Sequence, residues 1–319
     1  MPGKRPIAAP IAAPIASEAP LEASLLERLT HNQNYPIASL YVIATPIGNL
    51  ADMTLRGLEC LRRVDAVAAE DTRSAKRLLV EYGISKPCFA AHRHNERAAA
   101  AEIIARLAQG QRVAYISDAG TPAISDPGAK LVEAVIAAGM RVVPIPGTSA
   151  VTCALSASGL GDGPFYFVGF LPARRAQARA IAVSLASMQA QLVFYEAPHR
   201  VLQTVTLFAD VFGTARRLVL ARELTKIFEE IVHLTLGDAH TWLLADANRQ
   251  RGEFVLIVEG APPGQDPLLQ ALPILVRLLE KLPLSEAVTL AAEVTHAPRN
   301  ELYAHALKIR ADEPDNTGL

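Results

Sequence analysis

The sequence predicts an α/β protein: two α/β domains followed by a small helical domain. Three observations carry this expectation. Short apolar runs recur about every 25 residues with helical runs between them, the spacing of a largely parallel sheet covered on both faces. The stretch Gly159 to Pro164 holds three glycines and a proline in six residues, a natural domain boundary. Beyond Gly260-Ala261-Pro262-Pro263-Gly264 only helical spacing remains. The expected divisions are a disordered extension over 1–36, α/β domains over 37–160 and 161–262, and a helical domain over 266–309.

Composition sets the outer limits. The chain has 319 residues, enough for two domains of common size, and half of them are hydrophobic, which excludes a disordered chain. A formal net charge of -1 is not that of a general polyanion binder, so any nucleic-acid contact must use local basic patches. Cys60, Cys88 and Cys153 lie scattered in apolar surroundings, without metal-type spacing, and suit a reducing compartment. No apolar run is long enough to span a membrane. Ile-Ala-Ala-Pro repeats between Ile7 and Pro14, and this proline density places the extension outside the fold.

In chain order, Leu40 to Ala44 is the first strand and Thr54 to Leu61 the first helix. Ala66 to Ala69 is the second strand, followed by a helix from Ser74 to Tyr82 that Gly83 closes in the left-handed conformation. Cys88 to Ala90, Val113 to Ile116 and Val142 to Ile145 complete the strands of the first domain, and helices cover Glu96 to Ala108 and Ala129 to Ala138. In the second domain Phe165 to Phe170, Leu192 to Tyr195, Leu218 to Ala221, Ile231 to Leu234 and Phe254 to Val258 are strands. Helices cover Gln177 to Met188 and Pro198 to Phe208. The closer strand spacing after Arg217 predicts a mixed sheet. Leu284, Ala287, Val288, Ala291 and Val294 follow helical spacing, as do Leu302, Tyr303, Ala306 and Leu307. A pair of this kind is either a helix-turn-helix or a plain α-hairpin.

The stretch Ser117-Asp-Ala-Gly-Thr-Pro-Ala-Ile-Ser-Asp-Pro-Gly128 is the centre of the chain. It lies between a buried strand and a helix, where α/β proteins place ligands. It has no lysine, so it is not a phosphate-binding loop of the Walker type. Asp118 and Asp126 disfavour a polyphosphate and suit a ligand with hydroxyls, amines or a positive centre.

Five further stretches accompany it in order: Thr45 to Asp52, Ala69 to Arg73, Pro146 to Ala150, Phe194 to Arg200 and Ala221 to Lys226. Together the six resemble the ribosomal RNA methyltransferases of the tetrapyrrole methylase superfamily, over about Leu40 to Ile309. The resemblance implies two α/β domains of the tetrapyrrole methylase type, with S-adenosylmethionine in the cleft between them. It implies methylation of the ribose 2'-hydroxyl of a cytidine in the decoding region of 16S ribosomal RNA, within the small ribosomal subunit. A cytoplasmic homodimer without metal or membrane association is implied too, with the helices after 266 as a helix-turn-helix-like appendix. Two other readings stay open: a small-molecule methyltransferase on the same scaffold, and a non-catalytic RNA-binding protein.

Against that resemblance the cofactor-binding candidates are Pro46, Gly48, Asp118, Gly120, Thr121, Ser149, Ala150 and Tyr195. Gly48 and Gly120 allow close approach of backbone. Backbone N–H groups at Ser149 and Ala150, a helix start, can bind a carboxylate. Asp118 and Thr121 can bind ribose or amine groups, and Tyr195 can lie against adenine. Ser149 fits equally as a helix N-cap and Tyr195 as a core filler. Glu70, Arg73 and Lys226 are expected on the substrate side. Asp71, Asp126, Glu196, Glu223, His92 and His94 join Glu70 as possible proton acceptors. Arg174, Arg175 and Arg200 are the candidates for RNA phosphate.

Overall fold

The computed structural model describes residues 23–262 and 267–311. Strands β1 (Ser39–Ile43), β2 (Ala66–Ala69), β3 (Cys88–Ala90), β4 (Arg112–Ile116) and β5 (Arg141–Ile145) form a sheet in the order β3-β2-β4-β1-β5. All of its pairings are parallel. Side chains alternate between two cores, as the strand period requires. Tyr41, Ile43, Ala114 and Ile116 pack beneath α2 (Leu55–Arg63) and α3 (Thr72–Glu81). Leu40, Val113 and Tyr115 pack beneath α4 (Glu96–Ala108) and α5 (Ala129–Ala137).

The second sheet has the order β6-β7-β10-β8-β9, from β6 (Phe165–Phe170), β7 (Gln191–Glu196), β8 (Arg217–Arg222), β9 (Glu230–Thr235) and β10 (Phe254–Val258). Only β6 and β7 pair in parallel, so this sheet is mixed, as the strand spacing predicts. One face, with Leu192, Phe194, Leu220 and Leu256, is covered by α7 (Arg175–Leu185), α8 (Val201–Phe212) and α9 (Leu236–Leu244). The other, with Val193, Val219, Val255 and Ile257, receives Val151 and Ala154 of α6 (Ala150–Ser156). Thus α6 precedes the Gly-rich boundary in sequence but packs on the sheet that follows it.

The last helices, α10 (Pro267–Leu279), α11 (Leu284–Thr295) and α12 (Arg299–Ala311), form a three-helix bundle. Its buried residues Leu275, Ala287, Val288, Leu302 and Ala306 continue the core beneath α7, so the bundle lies on the outer face of the second sheet. Lys308 reaches Asp210 on α8 at 3.3 Å, and Arg179 on α7 binds the same carboxylate. His296 adopts a left-handed conformation at φ 59° and turns α11 into α12. Among the described residues no helix is long and apolar enough to cross a membrane.

Two expectations need correction. The expected disorder over 1–36 does not hold for residues 23–36; residues 1–22 lie outside the described residues. The proline repeat ends before Ala23, and α1 (Ala23–Thr30) forms and packs against α2. Tyr35 is buried under the Arg63 guanidinium, 4.9 Å from its ring centre. The Pro36 carbonyl accepts from the Tyr41 hydroxyl at 2.7 Å. The second correction is α9, which the dense strand spacing hid.

Gly128 tests how tightly the central loop is seated. It has φ 127°, and a Cβ there would stand 2.4 Å from Tyr115 Cε1. Tyr115 is buried, and its hydroxyl donates to the Pro127 carbonyl at 2.7 Å. Gly128→Ala combines a disfavoured backbone conformation with overpacking and is expected to cost about 2–3 kcal/mol, measured as a lower urea midpoint at unchanged slope.

Candidate active site

Three loops leave the carboxyl ends of β1, β4 and β5 and lock together. Thr45 and Gly120 exchange both backbone hydrogen bonds, each 2.9 Å. The Thr45 hydroxyl donates to the Ser117 carbonyl at 3.2 Å, and the Thr148 hydroxyl donates to the Thr45 carbonyl. Thr121 Oγ1 donates to the Thr148 carbonyl at 2.9 Å. Within this frame Ala123 and Ser125 hold φ of 67° and 70°, a region that costs a non-glycine residue energy.

The frame faces the second sheet across a cavity of about 350 Å³, within the range of small-molecule sites. Both halves line it. Its apolar wall includes Ile47, Ile124, Phe170, Tyr195, Leu224 and Val255. Its carboxylates are Asp126, Glu196 and Glu253. Gly120, Thr121, Ser149, Ala150 and Tyr195, all expected from the sequence, border it as well. Tyr195 is wedged edge-on between Phe167 and Phe170, with ring centres at 4.9 and 5.5 Å. Burial, with Asp126 nearby, pushes its phenol up to about 12 against an opposing Val151 N–H bond, so it stays protonated.

Three carboxyls crowd one side. Burial is the first cause that raises Asp126; Asp118 adds to it, and a Ser117 hydroxyl bond opposes both. Burial likewise raises Glu70, helped by Asp126 and Asp118, while the Asp118 N–H opposes. Asp118 is itself raised by burial, although the Asp71 N–H binds its carboxylate. Asp118 is exposed and, with Glu70, sits beside the cavity wall rather than in it.

A second latch closes the opposite side. Lys226 Nζ donates to Glu223 Oε1 and to Glu253 Oε2, each at 2.8 Å. Glu223 Oε1 also accepts the Glu253 N–H at 2.9 Å. Burial alone would raise the Glu223 carboxyl, but Lys226 and the Glu253 N–H outweigh it and hold it below the usual range. Glu223 and Thr225 have φ of 51° and 67°, so this loop is strained as the central loop is. A Cβ at Gly252 would fall 2.4 Å from Glu223 Cγ, which leaves glycine as the residue that fits.

Several candidates stand elsewhere. Pro46 and Gly48 do not border the cavity. A Cβ at Gly48 would lie 2.5 Å from Lys226 Cγ, so its bareness makes room for the lysine stem of the other half. Arg73 points into solvent and is paired with Asp71 at 2.9 Å, which holds that carboxyl down at about 2. Arg200 is committed inward: its Nη2 donates to the Leu171 and Pro172 carbonyls at 2.8 and 3.4 Å, and its Nε lies 3.3 Å from Glu196. Glu196 is consumed in turn by the Ala197 N–H and the Thr204 hydroxyl. Arg174 and Arg175 are exposed at the start of α7. Sequence reasoning missed Ile47, Ile124, Phe170 and Glu253 as site residues. For Glu253 the available signal was Gly252 directly before a strand.

Similarity to known proteins agrees with this geometry. Residues 39–240 match the family described as Tetrapyrrole (Corrin/Porphyrin) Methylases, and residues 266–310 match the RsmI C-terminal HTH domain. The chain is 50% identical over 273 residues to ribosomal RNA small subunit methyltransferase I of Pseudomonas aeruginosa, covering 85% of this chain and 97% of that protein. It is 46% identical over 270 residues to the protein of that name from Escherichia coli O157:H7, covering 84% and 94%. Among solved structures, cobalt precorrin-4 methyltransferase aligns with a TM-score of 0.53 at 17% identity, over 70% of this chain and 95% of that one. Uroporphyrin-III-C-methyltransferase from Thermus thermophilus aligns at 0.51 and 18%, over 70% and 94%. At these identities the two structures bear on the fold alone.

The carboxyl cluster makes a prediction about pH. Each of Glu70, Asp118 and Asp126 has its folded pKa above its unfolded value, so ionisation weakens the folded state. That penalty is absent below a pH of about 4 and complete above the raised values. Asp126→Asn is therefore expected to raise the unfolding free energy at neutral pH by roughly half a kcal/mol, because the groups are partly solvated, read as a higher urea midpoint. The gain should close as the pH falls toward the ordinary carboxylate range, and a lower midpoint at neutral pH would contradict the repulsion.

Proposed function

Because this chain belongs to the ribosomal RNA small subunit methyltransferase I family of tetrapyrrole methylases, we propose that its cavity holds S-adenosylmethionine beside a ribose of 16S ribosomal RNA. The reaction is methylation of a cytidine 2'-hydroxyl in the small ribosomal subunit. The observation that carries this reading is the cavity itself: loops of both halves line it, apolar on most sides and bordered by Asp126 and Glu253. When bound, the cofactor supplies a methyl group on a positively charged sulfur. The donor set suits that molecule. Apolar walls at Ile47, Ile124 and Tyr195 accept an adenine, and Thr121 and Asp126 accept ribose or amine groups.

The chain's own contribution is alignment and charge. Methyl transfer to an oxygen requires reactants held close and in line, which rigid loops provide. The carboxylates favour a cation in the cavity, and their mutual repulsion is relieved when one arrives. A carboxyl with a raised pKa is also the better proton acceptor at neutral pH. We assign the substrate side to Glu70, with Asp126 next to it, and to Lys226, whose latch with Glu223 and Glu253 borders the same opening. Arg73 belongs to this side only at the periphery, through the Asp71 pair. A homodimer acting in the cytoplasm completes the proposal.

Mass spectrometry of 16S ribosomal RNA from cells with and without the gene is the direct test. One ribose methyl group should vanish on deletion and return on complementation. Unchanged RNA would reject the substrate. Arg174 and Arg175 make a second, quantitative case for RNA. Replacing both with alanine should remove two phosphate contacts and reduce the slope of log affinity for small subunits against log salt by about 1.5. An unchanged slope would exclude them from the interface.

A further inference from the structure

We propose that Phe170 is a stacking platform for an unpaired base of the RNA substrate, set between the cavity and the Arg174–Arg175 pair. The inference rests on the ribosomal RNA reading above and adds the residue that receives a base. Phe170 ends β6, the edge strand of the second sheet. It lines the cavity, yet 54% of it is exposed. Exposure alone does not single it out, since Phe165, Ile227 and Phe228 are also exposed; its place in the cavity lining does.

The ring is held, not loose. Tyr195, its register partner on β7, meets it edge-on at 5.5 Å. The next residue, Leu171, is buried, and its carbonyl accepts from Arg200 at 2.8 Å. Arg200 is itself fixed by Glu196, whose side chain is 0% exposed. The buried ion pair thus clamps the chain directly behind the exposed ring, so little side-chain and loop entropy is lost when a flat partner lands on it.

The cations beside it specify the partner. Arg174 and Arg175 open α7, at the positive end of a helix, where a cation opposes the helix dipole. Neither forms an ion pair among the described residues. Two unspent guanidinium groups in an unfavourable place suit an incoming polyanion. An exposed aromatic face followed within a few residues by phosphate-binding arginines is the pattern by which proteins take single-stranded RNA, stacking bases and tracking the backbone.

The full-length protein and its Phe170→Leu and Phe170→Trp variants would be assayed on small ribosomal subunits from cells lacking the gene. Binding of S-adenosylmethionine would be measured by calorimetry and oligomeric state by sedimentation. For Phe170→Leu the KM for subunits should rise roughly tenfold, the scale of one lost base stack. Because the ring also borders the cavity, the kcat at saturating subunits and the cofactor affinity should each fall by a clearly smaller factor than the rise in KM, and Phe170→Trp should restore the KM. A loss of cofactor affinity as large as the rise in KM would assign the ring to the cofactor's adenine. A shift in sedimentation would assign it to a second copy of the chain. Either result, or an unchanged KM, overturns the proposal. A wild-type protein inactive on these subunits would instead remove the ribosomal RNA reading, and this inference with it.

Discussion

The reciprocal pair of backbone hydrogen bonds between Thr45 and Gly120 is the constraint on which the site depends. Where parallel strands end, their loops lose the ladder that satisfied their N–H and C=O groups. Here the loops satisfy one another instead, and the threonine hydroxyls at 45, 121 and 148 close the remaining carbonyls. Three chain segments far apart in sequence become one rigid rim. Only such a rim can hold Ala123 and Ser125 in left-handed conformations, at a cost on the order of 1–3 kcal/mol each.

The second half reaches this rim through two contacts of different character. Helix α6 begins at the rim and buries Val151 and Ala154 against the inner face of the second sheet, an apolar attachment. Lys226 crosses over Gly48 and ends between two carboxylates of its own half, an electrostatic latch threaded past the other half's backbone. The first contact sets the spacing of the two sheets. The second braces the opening, and both strained loops, at 123–125 and 223–225, border the space between. Strain at two facing loops, each over-determined by hydrogen bonds, is what preorganised ligand sites look like.

What the sequence could disclose follows from how local each signal is. The buried strands β2 and β10 are continuous apolar runs, and so are the less buried edge strands β3 and β6, so all four are legible residue by residue from composition alone. The helix α9 is passed over because Leu236 to Leu244 falls among closely spaced strands, although Thr235 and Asp238 form a local capping pair that marks its start. The central loop was legible because glycine, proline and aspartate crowd into it. The acidic wall was only half legible: Asp126 lies in that loop, but Glu253 is 27 positions from Lys226, and nothing local joins them. Gly48 was legible as a close approach, and the group that approaches it is the lysine stem of the other half.

Arginine shows the same limit most plainly, and it bears on how RNA can be bound at all. Residue type alone does not separate Arg73, Arg174 and Arg200, which the sequence offers as site residues, from an arginine such as Arg216, which it does not. In the fold Arg73 is matched by Asp71, Arg200 spends its guanidinium on Glu196 and two carbonyls, and Arg216 is buried on the carbonyls of Ala186 and Glu259. Other cations, Lys76, Arg77, Arg93, Arg97, Arg174 and Arg175 among them, form no ion pair among the described residues, but they are spread over a chain whose formal sum is -1. Such a surface cannot hold an RNA by its general field, which is screened within about 10 Å at ordinary salt. It must rely on a few cations placed at one edge and on contacts that salt does not weaken. Shape and stacking against a fixed rim are contacts of that kind, and they are also the ones that discriminate a folded ribosomal subunit from RNA in general.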